Sequence, residues 1–232
     1  MRDMIRLLRA ASVASVSLVV ACGGGAEEAK SPAHASHAAP TTSAGPSHGG
    51  HSSGPAIPAH VAAVVHSEDR SPQDKALDAG RKPGELLAFA GVKPGMKVAE
   101  LAAGSGYTTE LLARTVGSTG KVWGQNGQAF AKFIEPAWTE RLKKPAMQNV
   151  VRVDRELDDP LPPEAKDLDA VFLVLLYHDA VWLKVDRDKM NRAVFAALKP
   201  GGVYVIVDHS ARPGTGTNDV QSLHRIEAKI VE

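Results

Sequence analysis

Cysteine is almost absent from this chain, and neither sign of charge is in excess. One cysteine occurs among 232 residues, which excludes an intramolecular disulfide and any zinc site built from several cysteines. The 27 Lys and Arg residues are balanced by 26 Asp and Glu residues, for a formal net charge of +1. Binding to nucleic acid relies on many clustered cations, so we expect no nucleic-acid partner.

The N-terminus has the layout of an export signal. Arg2, Arg6 and Arg9 precede an uncharged run from residue 10 to residue 21. A helix of that length spans about 18 Å, which is too short for a bilayer core of about 30 Å, so we expect no permanent membrane span. The run ends at Cys22, which three glycines follow, and this junction resembles the bacterial lipoprotein signal.

That resemblance implies a signal peptide over residues 1–21, cleavage before Cys22 and acylation of the new N-terminus. Two or three acyl chains hold a protein far more firmly than one myristoyl group. The mature protein would then be an extracytoplasmic lipoprotein, membrane-anchored on the periplasmic or cell-surface side. A plain secretory signal with an incidental cysteine is the alternative.

Residues 22–70 are rich in Ala, Gly, Ser, Pro and His and carry few large aliphatic residues. Such a segment cannot bury enough surface to offset its ordering entropy, so we expect a disordered linker. Six of the nine histidines lie in it: His34, His37, His48, His51, His60 and His66. They have no carboxylate partners, so we expect a solvated tract and no metal site.

From residue 71 to residue 232 the pattern alternates between strand and helix. Predicted strands cover residues 97–102, 121–124, 149–153, 170–177 and 203–207. Predicted helices cover residues 83–91, 107–116, 128–142 and 187–198. This alternation predicts an α/β domain with a doubly wound parallel sheet.

A glycine-rich loop follows the first of these strands. Glu100 stands at the strand end, and Gly104 and Gly106 precede the next helix. Open α/β sheets bind ligands at the carboxyl ends of their strands, where glycine lets the backbone approach a ligand closely. A dinucleotide is disfavoured, because Thr109 replaces the third glycine of that fingerprint and no acid ends the second strand.

These residues resemble class I S-adenosylmethionine-dependent methyltransferases. The segment from Glu100 to Gly106 is similar to the first motif of that family, and residues 198–202 (LKPGG) are similar to the turn before its fifth strand. The resemblance extends over residues 80–226. It is strongest to predicted bacterial methyltransferases with a tyrosine and a histidine after the fourth strand, here Tyr177 and His178. It implies the Rossmann-like methyltransferase fold and S-adenosylmethionine as cofactor.

The resemblance also implies which residues hold the cofactor. The glycine loop would surround the methionine part through Glu100, Ala102, Gly104, Ser105 and Gly106. Ala102 replaces the first glycine of the motif, which is tolerable if that position needs no positive φ. Gln125 or Asn126 stands where the family has an acid for the ribose hydroxyls. Asp154, Asp158 or Asp159 would bind the adenine amino group, and we favour Asp158.

Two pairs of polar residues follow the fourth and fifth strands. His178 and Asp179 form one pair, and Asp208 and His209 form the other. Both pairs should lie at the same sheet edge, where a histidine beside a carboxylate is a candidate general base. The alternative is that they only cap loops. His224 is a weaker third candidate.

Two hypotheses follow for the function. The first is an enzyme that methylates an unidentified small molecule or envelope component. The second is a non-catalytic ligand-binding or interaction lipoprotein with the same fold. The cytoplasmic origin of the cofactor favours the second, as does the expected lack of the C-terminal strand hairpin, which would leave the fifth strand with an unpaired edge. An open pocket between Glu100, Gly104 and His178 would favour cofactor binding.

Overall fold

The computed structural model describes residues 56–232 with their side chains and, before them, the backbone of two strands. The strands are β1 (Arg2–Arg9), β2 (Val16–Ala21), β3 (Lys97–Leu101), β4 (Lys121–Asn126), β5 (Val150–Asp154), β6 (Leu168–Val174) and β7 (Leu198–His209). The helices are α1 (Ala59–Val65), α2 (Pro72–Arg81), α3 (Pro83–Phe89), α4 (Tyr107–Val116), α5 (Gln128–Leu142), α6 (Tyr177–Trp182), α7 (Arg187–Ala197) and α8 (Ala228–Val231). Within this described part of the chain, none of the helices has the length and apolar character needed to cross a bilayer.

The five strands β3 to β7 are parallel and confirm the predicted doubly wound sheet. The strand order is β2-β1-β7-β6-β3-β4-β5, so the first parallel strand lies in the middle. Val98 of β3 pairs with Val122 on one side and Ala170 on the other. The chain thus winds outward in both directions from β3, and ligands in such sheets bind where the winding reverses, at the carboxyl ends of the strands.

The edge of β7 is paired, contrary to the expectation of an open edge. β1 runs antiparallel to β7, from Asp3 opposite His209 to Arg9 opposite Val203, and β2 runs antiparallel to β1. Residues 210–232 contain no further strand, in line with the expected lack of a C-terminal hairpin, because the chain there forms turns and α8. The two N-terminal strands consist of residues predicted to be the export signal. Cys22 and residues 22–55 lie outside the described residues.

The folded domain begins earlier than predicted, because α1 lies inside the segment assigned to the linker. Val61 is fully buried and packs with Leu86 and Leu87 of α3. The His60 ring nitrogen Nε2 donates to the carbonyl oxygen of Val92 at 3.0 Å. The composition of this segment is typical of a linker, but Val61, Val64 and Val65 follow a helical spacing and form a short apolar stripe. The prediction of a linker up to residue 70 is therefore wrong for residues 59–70.

The fourth parallel strand is shorter than predicted, and its end shapes the candidate site. β6 stops at Val174 although the apolar run continues to Tyr177. Leu175 adopts a positive φ of 58°, and its backbone N–H donates to the carbonyl oxygen of Val207 at 2.7 Å. The chain then turns into α6 at Tyr177. His178 therefore starts a helix at the edge of the sheet.

Trp138 fixes the glycine-rich loop against the second parallel strand. This side chain on α5 is fully buried. A Cβ atom added at Gly106 would lie 2.5 Å from the indole, and one added at Gly124 of β4 would lie 2.8 Å from it. The indole therefore occupies the space that side chains at these two positions would need.

We expect Gly124→Ala to lower the free energy of unfolding by about 1–3 kcal/mol, because its Cβ would overlap the Trp138 ring in a packed core. Urea unfolding measures this change. Gly80→Ala is the matched control, since a Cβ at this exposed position in α2 meets no atom within 4 Å. The control should raise the free energy of unfolding by about 0.5–1 kcal/mol. Equal changes in the free energy of unfolding of the two variants would contradict the close contact with Trp138.

Candidate cofactor cleft and acceptor edge

The loop between β3 and α4 needs glycine at two positions for different reasons. Gly104 has φ +58°, and a Cβ there would meet no atom within 4 Å. Gly106 has φ +85° and no room for a Cβ beneath Trp138. Gly106 therefore serves the packing of the domain, while Gly104 leaves open space above the loop.

Two amide side chains at the end of β4 hold this loop. Asn126 Oδ1 accepts from the Gly104 N–H at 2.8 Å, and Asn126 Nδ2 donates to the Gly104 carbonyl at 3.1 Å. Gln125 Oε1 accepts from the Ala102 N–H at 2.8 Å, while its Nε2 donates to the Arg155 carbonyl. Both predicted ribose-binding side chains are thus engaged with the protein backbone. Their role toward ribose stays a prediction.

Ala102 does not meet the condition under which it was expected to be harmless. Its φ is +51°, in the left-handed region that glycine adopts without penalty. A residue with a Cβ costs roughly 1–2 kcal/mol in this conformation. The hydrogen bond from its N–H to Gln125 keeps Ala102 in this conformation.

A cleft of about 470 Å³ opens at the carboxyl ends of β3, β4 and β5. Its walls also include the segment between α6 and α7. The apolar part of the lining is formed by Ala102, Ala129, Phe130, Leu157, Leu183 and Val185. Neither Glu100 nor His178 lines this cleft, so the open space lies beside the glycine loop rather than in the pocket foreseen between those residues.

Two acids face this cleft, and sequence reasoning identified one of them. Asp158 lines it and pairs with Lys189 at 3.0 Å. Glu156 also lines it and accepts from the Gln128 N–H at 3.0 Å, at the start of α5. Sequence reasoning missed Glu156 because the sequence of a loop does not indicate the direction of a side chain.

The two other aspartates considered for adenine pair with arginines instead. Asp154 pairs with Arg152 at 2.8 Å, and Asp159 pairs with Arg155. Neither of them lines the cleft. The role of Asp158 toward adenine stays a prediction.

Glu100 and Ser105 have surroundings that the resemblance did not indicate. Glu100 is 3% exposed, and its carboxylate accepts a hydrogen bond from the Thr109 hydroxyl. Burial raises the pKa of Glu100 to about 7, although the hydrogen bonds from Thr109 and Thr108 oppose this shift. The Ser105 carbonyl accepts from the Arg141 guanidinium at 2.6 Å.

The start of α6 meets the end of β7 at Asp208, because parallel strands end at one sheet edge. Asp208 is fully buried. One carboxylate oxygen accepts from the His178 backbone N–H at 2.8 Å, and the other lies 2.7 Å from His178 Nδ1. Burial lowers the pKa of His178, but the hydrogen bond and charge of Asp208 outweigh it, so the pKa lies above its ordinary value.

Asp179 and His224 complete this group, while His209 faces elsewhere. The second ring nitrogen of His178, Nε2, lies 3.4 Å from the Asp179 carboxylate and 3.2 Å from His224 Nδ1. His209 lines a separate narrow cavity of about 50 Å³, together with apolar residues of α3 and α4 and with Arg81. The structure therefore brings four of the five predicted polar residues into one cluster.

We expect the stability of the protein to depend on pH through Glu100. The folded chain keeps the Glu100 proton up to about pH 7, whereas an unfolded chain loses it near the ordinary value of 4.5. The folded state binds more protons between these values, so the free energy of unfolding falls as the pH rises from about 4.5 to about 7. Glu100→Gln keeps an acceptor for Thr109 without a charge. At pH 8 this variant should be more stable than the wild type by about 3 kcal/mol, with little difference at pH 4.

Urea unfolding of both proteins at pH 4 and pH 8 measures this effect. The Glu164→Gln variant, in an exposed loop, is the matched control for the loss of a carboxylate. A constant stability difference between Glu100→Gln and the wild type at the two pH values would contradict the raised pKa.

A family model matches the part of the chain that contains the glycine loop and its flanking elements. Residues 72–158 match the family model described as protein-L-isoaspartate(D-aspartate) O-methyltransferase. This match includes α2 to β5 and ends before the cluster around Asp208.

The chain is similar to several solved structures of methyltransferases. A SAM-dependent methyltransferase from Aquifex aeolicus is 23% identical with a TM-score of 0.50, over 65% of this chain and 80% of that chain. A SAM-dependent O-methyltransferase from Thermotoga maritima is 23% identical with a TM-score of 0.41, over 64% of this chain and 49% of that chain. A protein-L-isoaspartate O-methyltransferase is 18% identical with a TM-score of 0.48, over 65% of this chain and 50% of that chain. The chain thus spans about half the length of the last two proteins.

The similarity to the Aquifex aeolicus structure confirms the resemblance for the fold, which is the Rossmann-like fold of class I S-adenosylmethionine-dependent methyltransferases.

Proposed function

We propose that the protein binds S-adenosylmethionine in the cleft beside the glycine loop and transfers its methyl group to a small acceptor. The observation that carries this proposal is the position of the cleft at the carboxyl ends of β3, β4 and β5, directly against Ala102 of that loop. This is where doubly wound sheets bind their ligands. The match over residues 72–158 covers the same elements.

The residues of the cleft fit this cofactor. A volume of about 470 Å³ lies within the range of about 300–1,000 Å³ typical of small-molecule sites. Phe130, Leu157 and Leu183 offer an apolar surface for the adenine ring, and Asp158 offers an acceptor for its amino group. Glu156 offers a carboxylate for the ribose hydroxyls, which Asn126 cannot match in strength. When bound, the cofactor supplies a methyl group on a positively charged sulfur.

The start of α4 suits the carboxylate of the cofactor. This helix has ten residues, and its first turn presents backbone N–H groups at the positive end of the helix dipole. Gly104 precedes it without a side chain in the way. The methionine part would therefore lie over Gly104, as the resemblance implies.

The acceptor side would lie at the ends of β6 and β7, near His178 and Asp208. An acceptor bound there needs mainly to be aligned with the methyl group, since positioning contributes most of the acceleration in such reactions. The matched family acts on oxygen atoms of isoaspartyl residues by its description, but the match ends at residue 158. No residue of the acceptor side is included in it, so we propose a small molecule or an envelope component.

Calorimetric titration tests the cofactor proposal. We expect S-adenosylmethionine and S-adenosylhomocysteine to bind the full chain in the micromolar range, and Gly104→Ala to weaken binding at least about tenfold. The added Cβ would occupy the open space above the loop and oppose its positive φ.

Gly91→Ala is the matched control for this titration. Gly91 has a similar φ of +66° and open space around it, but it lies after α3, away from the cleft. The Gly91→Ala variant should lose about as much free energy of unfolding as Gly104→Ala. It should bind S-adenosylmethionine and S-adenosylhomocysteine as the wild type does. Absence of binding heat from a folded wild-type chain would overturn the enzyme proposal and favour the non-catalytic alternative.

We propose further that the mature protein is anchored to a membrane from outside the cytoplasm through Cys22. The basic start, the short apolar run and the cysteine before three glycines support this proposal. Cleavage before Cys22 would remove β1 and β2 and leave β7 with an open edge.

Metabolic labelling with a radioactive fatty acid tests the anchor. The wild-type chain expressed in a bacterium should be labelled, and Cys22→Ser should not be, because the chain has no other cysteine. The mass of the purified wild-type protein should show loss of residues 1–21 and gain of acyl chains. An unlabelled, full-length wild-type protein would contradict both the anchor and the cleavage.

A further inference from the structure

Three side chains from two separate segments converge beside the end of β6. His178 and Asp179 belong to α6, and His224 lies 45 residues further along the chain than Asp179. Each residue offers one nitrogen or oxygen atom, and the three atoms all lie within 4.8 Å of one another. None of the three lines the cleft proposed for the cofactor.

Each pair of these side chains approaches to the spacing of neighbouring metal ligands, and the two histidines face different oxygens of Asp179. His178 Nε2 lies 3.2 Å from His224 Nδ1 and 3.4 Å from one oxygen of Asp179. The other oxygen of Asp179 lies 3.5 Å from His224 Nδ1. Zinc bonds of about 2.0–2.2 Å to nitrogen and oxygen place tetrahedral ligand atoms roughly 3.3–3.6 Å apart.

The first of these ligands is held in a fixed orientation. The Asp208 carboxylate lies 2.7 Å from His178 Nδ1 and also accepts from the His178 backbone N–H at 2.8 Å. In this orientation the other ring nitrogen, Nε2, faces Asp179 and His224. A carboxylate behind a ligating histidine is a recurring feature of metal sites, because it fixes the ring and increases its basicity.

The other two ligands are available and held in place. Asp179 Oδ1 is buried without a hydrogen-bond partner, although buried carboxylate oxygens are normally satisfied. The side chain of His224 is 58% exposed, which leaves a path for an ion from solvent. Its segment is fixed by fully buried Ile226, whose N–H donates to the His209 carbonyl at 3.0 Å.

We propose that His178, Asp179 and His224 bind a single divalent transition-metal ion of the zinc type. Two imidazole nitrogens and one carboxylate oxygen form a donor set that suits Zn²⁺ and neighbouring ions such as Co²⁺, whereas Mg²⁺ and Ca²⁺ prefer oxygen ligands. Three protein ligands leave the fourth position to water or another small ligand. If methyl transfer takes place as proposed above, an oxygen atom of the acceptor can occupy that position.

Metal binding is measured without any cofactor, so its outcome is independent of the proposed methyl transfer. Zn²⁺ is titrated into the full chain in competition with a coloured chelator, and Co²⁺ is titrated with its visible absorption as the readout. We expect one equivalent to bind with the intense absorption of four-coordinate Co²⁺. His224→Ala and Asp179→Asn should each weaken this binding at least about tenfold, since even loss of an outer partner costs 10–100-fold.

The histidines of residues 22–55 form a constant background in these titrations, because every variant retains them. His66→Ala is the matched control, since His66 is an exposed histidine whose ring hydrogen-bonds to the nearby carbonyl of Ala62. It should bind as the wild type does. His224 is on the surface, so its variant should fold, which circular dichroism verifies.

Binding of Zn²⁺ and Co²⁺ that is the same in the wild type, His224→Ala and Asp179→Asn would overturn the proposal. The contact between the two imidazoles would then be a plain hydrogen bond, with one ring donating to the other. Loss of one equivalent in both variants, but not in His66→Ala, would establish the site.

Discussion

The Asp208 carboxylate is fully buried, yet it is surrounded by donors: the backbone N–H of His178, the ring of His178 and the backbone N–H of His209. A buried polar group is costly unless it is hydrogen-bonded, and these contacts meet that requirement. They also join the end of β7 to the start of α6. Because α6 begins only where β6 breaks off at Leu175, the position of His178 depends on this carboxylate.

The glycine loop beside the candidate cofactor cleft is also held by hydrogen bonds from a neighbouring strand, but here the side chains are neutral amides. Asn126 and Gln125 hold the glycine loop from the neighbouring strand, where a carboxylate would be expected in a methyltransferase. The acids Glu156 and Asp158 lie across the cleft on the loop after β5. The acids that line the cleft therefore lie on the loop after β5, whereas amides stand at the end of β4.

The sequence predicts much of this architecture, because the alternation of apolar strands and amphipathic helices is local information. Helix α4 begins at Tyr107 as predicted, since two glycines mark its start. The end of β6 was misjudged because the apolar run continues past the turn at Leu175. Helix α1 was missed because three valines in a linker-like composition give a weak signal.

Contacts between distant segments are harder to read from a single chain. The strand order correctly indicated that the residues after β6 share one edge with Asp208 and His209, which the structure places at the end of β7. No pattern indicated that His224 would turn toward Asp179, since that contact depends on how Ile226 packs in the core. The direction of Glu156 likewise depends on the start of α5, which only the fold defines.

Because of its amide contacts, the glycine loop is ordered before any ligand binds. Ordering a loop costs about 1–2 kcal/mol per residue, and here Gln125 and Asn126 have already fixed Ala102 and Gly104. The Gly104 N–H is occupied by Asn126, which leaves the N–H groups at the start of α4 for a ligand carboxylate. A ligand would then bind to a loop that is already ordered, and little of its binding free energy would be spent on ordering that loop.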